Sequence, residues 1–100
     1  MVAFVVERET SAPEESRNKD FVDSVARALD LLPGQYVLTY PERVPEARLW
    51  VFLGDLPVFE VKADKLIKTE VVGKLVESVA LKKELWLRLK ALKESGLLTL

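Results

Sequence analysis

One stretch of the chain has residue types suited to hydrolysis, Glu60-Val61-Lys62. Two residues apart on a strand, an acid and a lysine project to the same side. There the carboxylate joins a second acid in holding a metal ion, and the ammonium supports the attacking water. The second acid would be Asp55, in a turn, or Glu46, in a loop after Pro45, and neither stands clearly at the end of a preceding strand. Glu60 and Lys62 read equally as an exposed, charged strand end. The chain has no histidine and no cysteine. That removes the usual general base, the Ser-His-Asp and Cys-His arrangements, and imidazole or thiolate metal ligands. Gly34, Gly54, Gly73 and Gly96 are dispersed and form no phosphate loop or dinucleotide fingerprint. The expectation is a non-enzymatic chain with no catalytic residue, metal or cofactor.

Binding chemistry is better represented. Lys74 to Leu100 holds an amphipathic helix in which Leu81, Leu85, Leu89 and Leu92 fall in one stripe, the pattern of a face buried against a core. Trp86 lies roughly 100° from that stripe on a helical wheel. It stands among Lys82, Lys83, Lys90 and Lys93. An aromatic ring surrounded by ammonium groups suits a ligand with flat faces and negative charge, as in single-stranded nucleic acid. The plainer alternative is a tryptophan packed on a neighbouring strand with a solvated rim of lysines.

The elements that must position these residues follow from periodicity. Val2 to Glu7 is a strand, and a polar loop then leads to a helix that runs to about Leu32, with Ser11 and Glu14 at capping-box spacing and Asn18 as a second cap. Phe21, Val25, Ala28, Leu29 and Leu32 form its apolar face, and Pro33-Gly34 ends it. Tyr36 to Tyr40 and Arg48 to Leu53 are strands. Gly54-Asp55 reads as a two-residue hairpin turn into a fourth strand, Pro57 to Lys62. One face of that hairpin carries Arg48, Trp50, Phe52, Phe59 and Val61; the other carries Leu49, Val51, Leu53, Leu56, Val58, Glu60 and Lys62. Both faces are apolar, so either helices cover both or one meets a partner. An aromatic face beside Arg48 would be a platform for bases; an ordinary two-sided core or a dimer interface is the alternative. Asp64 caps a further helix with Ile67, Val71 and Leu75 on its face, and a break is expected between Gly73 and Leu81. The fold class expected is α+β: a single domain over 1–100, with a four-stranded, mainly antiparallel sheet (β-α-β-β-β) and two or three C-terminal helices over about 64–95.

Composition bounds the class. The apolar fraction of 49% is too high for disorder, and no apolar run reaches the length of a membrane span. A soluble cytoplasmic protein without membrane partners is the expectation. Charged residues make up 31% of the chain against one Asn, one Gln and one Met, the balance of a thermophile protein. The net charge of −1 hides a polarity: residues 1–61 carry 6 basic and 11 acidic side chains, residues 62–100 carry 9 and 5. That places a basic face on an acidic body, or makes two complementary surfaces for self-association.

Two resemblances bear on function. Leu81, Leu85, Leu89 and Leu92, followed by Lys93-Glu94-Ser95-Gly96-Leu97-Leu98, resemble the second half of a winged-helix domain. That resemblance would put groove-reading positions near Lys82, Lys83, Trp86 and Arg88. In layout, with Trp50, Phe52, Phe59 and Trp86 beside basic residues and a leucine-patterned end, the chain is similar to the ThermoDBP type of thermophilic archaeal single-stranded DNA-binding protein. The similarity implies a cleft of basic and hydrophobic residues and self-association through C-terminal leucines. The expected function is single-stranded DNA binding, with Arg48, Lys62, Lys82, Lys83, Arg88, Lys90 and Lys93 on phosphates and Trp50, Phe52, Phe59 or Trp86 on bases. The alternative is a homo-oligomerising or protein-binding module without a nucleic-acid role.

Overall fold

Five consecutive apolar side chains, Val2 to Val6, leave a strand no face to turn toward water, and all five are buried. The computed structural model, which describes residues 1–8, 11–56 and 62–96, solves this by placing that strand inside a sheet. The elements in chain order are β1 (Val2–Val6), α1 (Ala12–Ala28), β2 (Tyr36–Thr39), a 3₁₀ turn (Pro41–Arg43), β3 (Ala47–Leu53), β4 (Ala63–Thr69), α2 (Val72–Glu77) and α3 (Val79–Glu94). The strands form one sheet in the order β2-β1-β3-β4, and each neighbouring pair is parallel. The class is therefore α+β with four strands and three helices, but the mainly antiparallel sheet expected from the sequence is wrong.

The error has one source. Gly54 does take a positive φ of 134°, yet it leads out of β3 rather than round a hairpin. A Cβ there would lie 3.0 Å from Val71 Cγ1, so the close approach of Val71 also selects glycine. The fourth strand expected over Pro57 to Lys62 lies, at 57–61, outside the described residues, and the partner on the far side of β3 from β1 is another segment. It is Ala63–Thr69, the segment whose Asp64 and Ile67 suggested a helix. Ile67 faces the helices, Leu66 the opposite side, and Lys65 and Lys68 are exposed. Among the described residues β4 pairs only with β3, and charged side chains on such an edge discourage further strand pairing.

Two cores result, one on each face. Val2, Phe4, Val6, Leu49, Val51, Leu53 and Ile67 meet Val22 and Leu29 from α1 and its cap, Val72 and Leu75 from α2, and Leu85 and Leu89 from α3. On the other face Ala3, Val5, Trp50 and Phe52 pack with Leu56, and Val37, Val44, Ala47, Ala63 and Leu66 surround them.

α1 begins where its sequence says. The Ser11 hydroxyl accepts the Glu14 N–H at 3.3 Å, Pro13 lies in the first turn, and Glu14 and Glu15 meet the positive end of the helix dipole. It ends earlier than expected: Leu29 is the C-cap, Asp30 adopts a left-handed φ of 59°, and Leu32 is 65% exposed. Asn18 is not a cap but a buried mid-helix residue. The expected break falls at Ser78, whose extended backbone separates α2 from α3 and whose hydroxyl accepts the Leu81 N–H at 3.2 Å.

Asp23 ties α1 to β2. One carboxylate oxygen accepts from Lys19 Nζ at 2.9 Å, the other from the Tyr36 hydroxyl at 3.0 Å. The Lys19 hydrogen bond, followed against desolvation by that of Tyr36, holds the Asp23 carboxyl below its ordinary 3.8. A lowered carboxyl contributes stability that is present above the unfolded value and lost as pH falls through the folded one. Asp23→Asn should therefore lower the melting temperature at neutral pH, with the difference from the parent shrinking as pH is taken below about 4. A difference that stays constant through the acid limb would show that the charge on Asp23 does not matter.

Candidate functional site: the groove between the first and last helices

α1 and α3 lie on the same face of the sheet and leave a groove of about 680 Å³ between them. α1 supplies Pro13, Ser16, Arg17, Asp20, Phe21, Ser24, Val25 and Ala28; Val76, Lys82, Leu85, Trp86 and Leu89 come from α2 and α3. The floor is apolar because Leu85 and Leu89 face the core, as their spacing requires. The rim is polar, with Arg17 and Lys82 against one carboxylate, Asp20. At the far end Lys93 Nζ bonds Asp30 Oδ2 at 2.8 Å, joining the C-terminal ends of the two helices.

Trp86 is half-buried: it packs against the core and lines the groove. One side of the residue meets the core and another meets the open space of the groove. Lys82 and Lys90 stand four residues to either side of it and Lys83 three residues before, so all three neighbour it on the helix surface. All three are exposed, and among the described residues no ion pair engages them.

The remaining expected site residues are not gathered here. Trp50 is 2% exposed and Phe52 1%; both lie in the second core, with ring centroids 6.0 Å apart. Trp50 Nε1 donates to the Pro45 carbonyl at 2.9 Å, so its only polar atom is satisfied internally. The open aromatic platform expected on β3 is thus closed by the chain's own residues, and neither ring offers a face to a base. Phe59 and Glu60 lie outside the described residues. Arg48 and Lys62 are at the amino edge of the sheet in a cleft with Met1, Glu46 and Asp64, where Arg48 Nε approaches Asp64 Oδ2 at 3.8 Å. Asp55 follows the carboxyl end of β3 while Lys62 precedes the amino end of β4, so the parallel sheet holds them at opposite edges. Among the described residues no cluster of acids is placed to hold a metal ion. Arg88 lines a separate cleft with Asp55 and Glu84, its guanidinium 3.5 Å from the Lys68 carbonyl. Lys93 is committed to Asp30.

The leucine stripe is likewise spent on the chain's own core: Leu85 and Leu89 are buried, and Leu81 and Leu92 pack against them. Leu97, Leu98 and Leu100 lie outside the described residues. Sequence reasoning passed over Arg17, which needs α1 beside α3 to matter. The signal for it was its place one turn before Phe21, at the polar border of the helix's apolar face.

No family model, curated protein or solved structure matches the chain. No helix among the described residues is long and apolar enough to cross a membrane. The two indoles supply a check on the site. With Trp50→Phe, the remaining Trp86 emission should be quenched readily by acrylamide. With Trp86→Phe, the emission left should be blue-shifted and shielded. Equal quenching of both variants would mean that the groove does not expose Trp86.

Proposed function

We propose that the chain binds single-stranded nucleic acid, DNA by preference, along the groove between α1 and α3. The observation that carries this reading is Trp86: among the described aromatic candidates it alone borders open space, and it does so beside Lys82 on a helix whose Lys83 and Lys90 make no ion pair among the described residues. The groove has an apolar floor and a mixed rim. An extruded base suits the floor, where it stacks on the Trp86 ring. The phosphates suit the exposed lysine row on α3, outside the groove, because Asp20 on the opposite wall repels them. Arg17 then faces the strand from α1. Stacking on a flat ring and contact with phosphates carry little sequence information, so binding without marked sequence preference is part of the reading.

Anisotropy of a labelled oligothymidylate tests it. Contacts to three or four phosphates give a slope of about −2 to −3 in log affinity against log salt, since each contact on a single strand contributes roughly −0.7. Trp86→Ala should weaken binding by about 1–3 kcal/mol, the worth of one base stacked on an aromatic ring. Asp20→Asn should tighten it by removing a charge on the groove wall that opposes the phosphates. Undetectable binding at low salt ends the proposal, and unchanged affinity in Trp86→Ala removes the groove from it.

A further inference from the structure

Asn18 occupies a position that the periodicity of α1 reserves for an apolar residue, one turn before Val22 on the buried stripe. It is 5% exposed. Among the described residues no hydrogen bond reaches its side-chain amide. An amide can make several hydrogen bonds, and one buried without partners destabilises a fold. The amide atoms are not sealed off, however. Asn18 lines a cavity of about 260 Å³, small for a ligand site and suited to a compact molecule.

The cavity lies where the topology separates the chain. Its floor is Val6 and Leu53, the last register pair of β1 and β3. From β1 the chain leaves for α1 on one face of the sheet; from β3 it leaves toward Leu56, which packs on the other. Adjacent parallel strands whose continuations part in this way open a crevice beyond their carboxyl ends, the place where open α/β sheets take ligands.

The crevice has a mixed set of charges. Arg17 lies against Gly73: a Cβ there would be 3.3 Å from one terminal nitrogen, 3.5 Å from the other and 3.6 Å from Cζ, so the guanidinium sits flat over the glycine. Among the described residues it makes no ion pair or hydrogen bond. The crevice is also lined by Glu7, which follows β1, and by Glu14, three residues before Arg17 on α1, and among the described residues no ion pair engages either. Val71 and Val72 close the apolar side.

We propose that this crevice binds a small zwitterion of the α-amino-acid class. Arg17 takes the carboxylate, for which its planar fork is matched. Glu7 and Glu14 take the ammonium, the Asn18 amide hydrogen-bonds the polar head, and the side chain lies over Val6, Leu53 and Val72. The two carboxylates disfavour a nucleotide or free phosphate, which Arg17 alone would accept. The crevice shares Arg17 with the rim of the nucleic-acid groove but no other residue, and leucine binding does not require that nucleic acid binds.

The chain supplies its own reporter. Asn18 is the only Asn and Gln35 the only Gln, so a ¹⁵N-correlated spectrum holds two side-chain NH₂ pairs. Titration with L-leucine should shift the Asn18 pair saturably while the Gln35 pair and the Trp86 indole stay in place. Arg17→Gln, a change at an exposed residue, should weaken that response about tenfold or more, because a neutral amide cannot replace the bidentate fork. Asn18→Leu should abolish leucine binding and raise the melting temperature of the unliganded protein by several degrees, since it puts an apolar side chain on the buried stripe of α1 in place of an amide with no protein partner among the described residues. The proposal is overturned if the Asn18 pair is silent to L-leucine at every concentration, or if inorganic phosphate shifts it and leucine does not. A fall in melting temperature for Asn18→Leu would also overturn it, by showing that the amide serves the fold.

Discussion

A strand buried on both sides governs this molecule. β1 has no exposed side chain, and β3 has none from Leu49 to Leu53, so each needs a layer above and a layer below. A chain of 100 residues has material for one full layer of helices, and it spends α1, α2 and α3 on the same face. The opposite face is closed by turns and short apolar segments around Leu56 and Val44, which is why Trp50 sits there with its indole nitrogen tied to a backbone carbonyl. Placing all helices on one side sets two of them next to each other. The groove between α1 and α3 follows from that crowding.

The same constraint fixes the ends of the sheet. Parallel strands bring all their carboxyl ends to one edge, so Glu7, Leu53 and the start of α2 meet beside the first turns of α1. All the amino ends meet at the other, which collects Met1, Arg48 and Lys62. Residues that an antiparallel hairpin would have put side by side, such as Asp55 and Lys62, are instead a strand length apart.

The parts of this arrangement that local patterns encode were legible. The strands β1 and β3, the Ser11 cap, the leucine stripe of α3 and the break before it all follow from spacing and residue type. β4 was not legible. Ala63–Thr69 carries Lys65, Leu66 and Lys68, good helix formers, and Ile67 continues to Val71 and Leu75 at helical spacing. What makes it a strand is the unpaired edge of β3, a partner far along the chain that no local window contains. The parallel sheet did leave a trace: near-continuous apolar runs in β1 and β3 are the mark of strands buried on both faces. Taken at full weight, that trace closes the Trp50 face and leaves Trp86 as the open ring. Asn18 was visible as a polar residue within the apolar stripe of α1, but nothing local shows that its amide opens onto a cavity between two strand ends.

The proposed function rests on a division between the two tryptophans, one sealed by the sheet and one bordering the groove between α1 and α3. Each contributes a single indole N–H signal to a ¹⁵N-correlated spectrum, and a titration with oligothymidylate reads both at once. The account predicts that the Trp86 signal moves progressively and saturates while the Trp50 signal, held by Pro45, stays where it is. Movement of Trp50 with Trp86 unchanged would contradict it.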